Sequence, residues 1–214
     1  ILKERITRLH LRPGELLMVQ PLSKELGFSR TPVREALIRL ESDGFVEEAD
    51  GKKFRVSELT LKDIIEIHEI REMIELHAVR KVAHRRSAKL AGSLGRLVHS
   101  MELMMQQKNH VAFFQMDMAF HMKIISSCDN RTLEQLVAVL NEKIQRIRHL
   151  TTFVYRRLED SFGDHSFFLE SLEQGDPEQA ARAMKYQLDQ VREGVIKLFE
   201  DGTIDFFGGA GLKR

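Results

Sequence analysis

The sequence predicts a mainly α protein in two parts, a winged helix-turn-helix over residues 1–57 and an all-α bundle of six helices over residues 58–214. Three observations carry this. Residues 22–44 read as a short helix, a tight turn and a second helix. Two short strand-like runs around a glycine follow at once. Beyond Thr60, apolar residues recur at helical spacing and proline occurs once, at Pro177.

In chain order, Ile1 to His10 completes a first helix with Leu2, Ile6 and Leu9 on one face. That start reads as mid-helix, so the expectation is that the chain's own N-terminus lies upstream. Pro13-Gly14 is a turn, and Leu16 to Val19 a very short strand. Leu22 and Leu26, four apart, share a helix face, and Gly27 suits a left-handed stop. Thr31 is expected as the N-cap of the second helix, with Pro32 at its first position. Val33, Ala36, Leu37 and Leu40 form its apolar stripe, and Gly44 ends it. Phe45–Ala49 and Lys52–Val56 read as strands joined at Asp50-Gly51, a wing whose Lys52, Lys53 and Arg55 are placed to meet phosphates or a minor groove.

Ser57 to Thr60 is a linker, with Thr60 an N-cap. Ile64, Ile67, Ile70 and Ile74 then mark one helix, and Leu90, Leu94, Leu97, Met101 and Met104 another. Four more cover roughly 110–127, 131–151, 156–174 and 178–200. Asn109, Cys128-Asp-Asn130 and Gln174-Gly-Asp-Pro177 break them apart, and the Gly-rich stretch 201–214 reads as loosely ordered.

Composition bounds the partners. Of the 214 residues 30% are charged, yet the net charge is only +1, and residues 1–57 hold 11 basic against 9 acidic side chains. A nucleic-acid surface must therefore be local. Arg30 in the turn and Arg34 on the first turn of the second helix, with Thr31 between, provide one. A helix carrying arginines off its apolar face fits a DNA major groove, although a helical hairpin with solvated arginines has the same spacing. The single cysteine, Cys128, permits no intrachain disulfide and fits a reducing cytoplasm. No run approaches 18 apolar residues, so no membrane partner is expected.

Inside the bundle, Asp117 and His121 stand one turn apart among Phe113, Phe114, Phe120 and Ile124. A buried carboxylate needs a balancing cation, and Asp-x-x-x-His suits two metal ligands. From spacing alone, a hydrogen-bonded Asp–His pair in the core is the commoner reading. His165, Gln187, Arg71, Arg146 and Arg148 are further polar residues on predicted helices.

The run Gly27-Phe-Ser-Arg-Thr-Pro-Val-Arg-Glu-Ala-Leu-Ile-Arg-Leu-Glu-Ser-Asp-Gly-Phe-Val46, with Leu11-Arg-Pro-Gly14-Glu-Leu16 before it, resembles the signature of the GntR family of bacterial transcription regulators. Ile70-Arg71-Glu-Met-Ile-Glu75, Asp117-x-x-x-His121 and Asp164-His165…Gly175-Asp176 resemble that family's FCD ligand-binding domain, and six helices resemble its VanR-type subgroup. The resemblance implies DNA contacts from Arg30, Thr31, Arg34 and Gly51, to which the basic wing adds Lys52. It implies a divalent metal (zinc, nickel or manganese) held by Asp117, His121 and His165, and a small carboxylate effector held by Arg71, with Arg146 and Arg148 as further candidates. Two positions depart from the pattern. Gln187 stands where the family usually has a fourth histidine, and a neutral amide oxygen is the weaker ligand. Gln20 stands where an arginine is common.

The expected function is a DNA-binding transcriptional regulator, a repressor, that binds a palindromic operator as a homodimer. The alternative from another class is a metal-dependent, hydrolase-like enzyme in which Asp117, His121 and His165 activate water. It leaves residues 1–57 without a role. A third reading is a structural Asp–His core without a metal.

Overall fold

A computed structural model describes residues 1–50, 53–151 and 158–201, without the side chains of Val139, residues 148–151, Leu158 and Glu159. Its first elements are α1 (Leu2–Thr7), β1 (Leu16–Leu17), α2 (Val19–Leu26), α3 (Arg30–Ser42), β2 (Val46–Ala49) and β3 (Lys53–Val56). β3 lies between β1 and β2, antiparallel to both, with Val46 opposite Val56 and Leu17 opposite Phe54. Leu2, Ile6, Leu17, Leu22, Val33, Leu37, Phe45, Phe54 and Val56 fill one core between the small sheet and the three helices.

Three boundaries differ from expectation. α1 ends at Thr7, because Leu9 takes a left-handed φ of 60° and the His10 and Leu11 amides fold back onto the Arg5 carbonyl. α2 begins at Val19 rather than Leu22, so β1 is limited to two residues. α3 begins at Arg30 with Ser29 as N-cap, which places Thr31 and Pro32 inside its first turn. Proline fits there because the first four amides of a helix have no intrahelical acceptor, so any of those positions tolerates the missing N–H. Gly27 (φ 72°) and Gly44 (φ 77°) are the left-handed stops of α2 and α3. The expected wing-tip residues Gly51 and Lys52 lie outside the described residues.

The chain continues through α4 (Leu61–Ala83), α5 (Ala88–Gln106), α6 (His110–Ser126), α7 (Arg131–Thr151), α8 (Leu158–Gln174) and α9 (Pro177–Glu200). These are the six helices expected. Thr60 caps α4 through a capping box with Asp63. Asn109 caps α6, and Asp176 caps α9 with Pro177 at its first position. The expected start of α8 at 156 lies outside the described residues, as do 202–214. α4 packs on α9, α6 and α7, and α5 packs on α6 and α8. The core runs from Ile74, Ala78 and Val82 through Leu94, Met101, Phe113, Phe120 and Ile124 to Phe168, Met184 and Leu188.

The Thr60 cap makes a direct prediction. Thr60→Ala removes both halves of the box and should lower unfolding stability by about 1 kcal/mol in a urea titration, with the far-ultraviolet circular dichroism spectrum unchanged.

Candidate functional site

Two surfaces carry chemistry. On α3 the apolar stripe turns Val33, Leu37 and Leu40 inward, which leaves Arg30, Thr31, Arg34 and Glu35 exposed along the opposite side. The guanidinium groups thus stand free at the N-terminal end of a surface helix, the end that reaches base edges in helix-turn-helix proteins. The sheet beside it forms the wing. Lys53 is exposed, but the Arg55 guanidinium donates to the Gly14 carbonyl oxygen at 3.2 Å, which fastens β3 to the turn before β1. The Arg55 side chain therefore has an internal role beside the phosphate contact expected of it.

The second surface is internal. Asp117 and His121 on α6 meet His165 on α8 and Gln187 on α9, and each is buried. One ligand atom from each of Asp117, His121 and His165 lies within 4.8 Å of the others. Asp117 Oδ1 is 3.0 Å from His165 Nε2 and 3.4 Å from His121 Nε2. Phe120 sets its ring edge-on to both imidazoles and to Phe168, which keeps one side of the cluster apolar.

The other nitrogen of each imidazole is already engaged. His165 Nδ1 donates to the Ser161 carbonyl oxygen at 2.6 Å. His121 Nδ1 donates to Glu75 Oε2 at 2.5 Å. These acceptors assign the proton of each neutral ring to Nδ1, leaving the Nε2 lone pairs aimed at a carboxylate oxygen. Lone pairs facing lone pairs require a proton or a cation between them, and histidine metal ligands are typically oriented by such outer acceptors. Gln187 donates from Nε2 to His165 Nε2 at 2.7 Å, while its buried Oε1 has no hydrogen-bond partner among the described residues. Turning that amide over brings a second oxygen to the cluster.

Glu75 is the residue that sequence reasoning passed over. It takes Arg71 Nε on one oxygen, at 2.5 Å, and His121 on the other. Burial pushes its carboxyl up, but the Arg71 and His121 charges more than offset this and hold it at about 2. For His121, burial pulls the imidazole down and the Arg71 charge adds to that. The carboxylates of Glu75 and Asp117 prevail and raise it. The signal was present: Arg71 and Glu75 are four apart on a helix whose Ile67, Ile74 and Ala78 are buried, so both charges enter the interior together.

The structure brings Arg71 into this network, 4% exposed. It takes Arg146 elsewhere. Arg146, 2% exposed, donates to the Ser57 carbonyl oxygen at the end of β3, and burial lowers its guanidinium to about 10 against the raising effect of Asp63. The expected role of Arg146 beside an effector is thus replaced by a contact between α7 and the linker. The Arg148 side chain lies outside the described residues.

A helix with free N-terminal arginines, a three-stranded wing and a separate helical core define a winged helix-turn-helix regulator. Residues 1–56 match the bacterial regulatory proteins of the gntR family, and residues 66–190 match the FCD domain. The chain belongs to the GntR family of bacterial regulators and carries an FCD domain. It is 27% identical over 202 residues to the uncharacterized HTH-type transcriptional regulator YdhC of Bacillus subtilis, covering 94% of this chain and 90% of that protein. It is 23% identical over 207 residues to the HTH-type transcriptional repressor RspR of Escherichia coli, covering 97% and 90%. Its fold is similar to that of E. coli McbR/YncC, with a TM-score of 0.77 at 22% identity over 92% of this chain and 94% of that one. It is also similar to the metal-free FCD domain of TM0439, with a TM-score of 0.58 at 23% identity over 67% and 98%. The family's members are DNA-binding regulators rather than enzymes, so the hydrolase alternative is set aside. Among the described residues no helix is long and apolar enough to cross a membrane.

The Glu75 network makes a prediction with a sign. A carboxyl held below its ordinary 4.5 contributes stability that is complete above that pH and is lost as pH falls toward about 2. Glu75→Ala leaves Arg71 and His121 buried without their acceptor and should cost about 3–5 kcal/mol at pH 7. Denaturant titrations from pH 7 to 3 should show the difference between wild type and variant narrowing at the acid end.

Proposed function

We propose that this chain represses transcription by binding a palindromic operator as a homodimer, and that a small carboxylate bound in the helical part, through a divalent metal, alters that binding. The single observation that carries the sensing half is the convergence of two imidazole Nε2 atoms on Asp117, with both Nδ1 atoms committed elsewhere. The DNA half is supported by the exposed Arg30, Thr31 and Arg34 on α3. Gly51 and Lys52 at the wing tip belong to the same proposal by their place in the sequence.

The residues fit a metal. Metal–ligand bonds of about 2.0–2.2 Å in a four-coordinate site set ligand atoms about 3–4 Å apart, and the two separations from Asp117 Oδ1 to the imidazole nitrogens, 3.0 and 3.4 Å, are of that size. A carboxylate with two imidazoles suits zinc, nickel or manganese. Gln187 Oε1, without a hydrogen-bond partner among the described residues, becomes a fourth donor once the amide is reversed and the oxygen takes the place of Nε2 beside His165. When bound, the metal supplies a Lewis-acid centre that accepts carboxylate oxygens. The chain's own residues do the rest: Glu75 and Ser161 hold the imidazoles in the ligating tautomer, Phe120 excludes water on one side, and Arg71 adds positive charge beside Glu75. The effector must favour one arrangement of the two DNA-binding heads over another; a coupling of about 1–3 kcal/mol changes operator affinity about 5–150-fold. A homodimer is the economical reader of a palindrome, because one helix-turn-helix reads one half-site.

Two experiments test this. Operator duplexes selected from random sequence by the wild-type protein should bind Arg34→Ala at least tenfold more weakly in a gel-shift titration, with the dimer intact by light scattering. Unchanged sequence-specific affinity overturns the assignment of α3. Plasma mass spectrometry of the purified protein should find about one metal per chain, lost in His121→Ala, and Gln187→His should tighten zinc binding by about tenfold or more. Equal metal content in wild type and His121→Ala overturns the metal reading.

A further inference from the structure

α7 contacts residues beside the buried cluster and residues of the DNA-binding head. One face carries Asn141 and Gln145, four apart, whose side-chain amides contact Met122 Sδ at 2.6 Å and Met118 Sδ at 2.8 Å on α6. Those methionines are neighbours in sequence of His121 and Asp117. A second face carries Glu142 and Arg146, also four apart, and faces the first 57 residues. Glu142 pairs with Lys3 Nζ at 2.5 Å, and the same ammonium reaches Asp43, the residue that ends α3, at 3.1 Å. Lys3 also lies over the Phe45 ring, 5.2 Å from its centre. Arg146 donates to the Ser57 carbonyl oxygen, and the Ser57 amide donates to the Phe45 carbonyl oxygen at 3.0 Å. Both grips therefore end at the C-terminal end of the recognition helix and the root of the wing. Between them Ile144 and Ile147 pack with Leu59, Ile64 and Ile67, which anchors α7 to α4.

The Arg146 contact is unusual for a merely structural one. The side chain is buried and, among the described residues, its Nε has no hydrogen-bond partner and its guanidinium donates to one neutral carbonyl. Placing a guanidinium there costs desolvation that an apolar side chain would avoid, so its position is better explained by what it grips.

We propose that α7 is the strut that transmits the state of the Asp117–His121–His165 cluster to the DNA-binding head, with Glu142–Lys3 and Arg146–Ser57 as its two grips. A shift of α6 on ligation moves Met118 and Met122 against α7, and α7 moves the end of α3 and the wing root together. The zinc arm of the test rests on the metal reading above; the other arms do not.

The experiment is amide hydrogen exchange read by mass spectrometry on the full chain, comparing wild type with the double variant Glu142→Gln/Arg146→Met. Without metal, the variant should exchange residues 30–49 at least threefold faster while residues 110–126 stay unchanged; equal exchange at 30–49 overturns the proposal. With zinc chloride, wild type should respond at 110–126 and at 30–49, and the variant at 110–126 alone. A response at 30–49 that survives in the variant, or is missing in wild type that responds at 110–126, overturns it. No zinc response anywhere overturns the metal reading instead. In that case His121→Ala serves as the perturbation of α6, and its effect on 30–49 must be lost when the grips are removed. Lys3→Met provides the same comparison if the double variant does not fold.

Discussion

The Asp117 carboxylate is the constraint around which the helical part is arranged. It lies 7% exposed, 3.0 Å from His165 Nε2 and 3.4 Å from His121 Nε2, and its charge helps raise the His121 imidazole. Leaving a charge so placed without compensation is costly in a low-dielectric interior. The surrounding residues supply the compensation in layers. Glu75 and Ser161 set the imidazole tautomers, Arg71 neutralises Glu75, and Phe120 and Phe168 wall the cluster. Four helices contribute, so the cluster exists only when α4, α6, α8 and α9 are packed together, and a ligand that alters it acts on all four.

The DNA-binding head works on the opposite principle. Its charges are mostly exposed and nearly balanced, 11 basic against 9 acidic over residues 1–57, and the overall net charge of +1 provides no general attraction to DNA. The exposed Arg30 and Arg34 guanidinium groups have their direction set by the buried stripe Val33, Leu37 and Leu40 behind them. Register comes from packing, and chemistry from the exposed side. The Lys3–Asp43–Glu142 group joins this head to α7.

Much of the fold was legible because its signals are local. Helical spacing, Gly27, Gly44 and the Thr60 N-cap each act within a turn of themselves, and each stands where expected, while Pro177, expected as a breaker, opens α9 as its first residue. The start of α3 was misplaced for a local reason as well, since proline tolerates any position in the first turn and so does not choose among them. The site was half legible. Asp117 and His121 share one helix, so their spacing placed them on one face, whereas His165 and Gln187 were reached only through family resemblance. Glu75 had a pattern but no stated role, because the sequence does not say that a charged pair four apart faces inward rather than outward.

The sequence by itself determined the order and type of the elements, the inward stripe and outward arginines of α3, and the pairing of Asp117 with His121, all consequences of helical periodicity. Only the tertiary structure decided that Glu75 orients His121, that Gln187 meets His165, and that Arg146 grips Ser57. The reason is physical. Those contacts join residues 22 to 89 positions apart, and which side chains meet at such separations depends on how whole helices pack, a property no local spacing encodes.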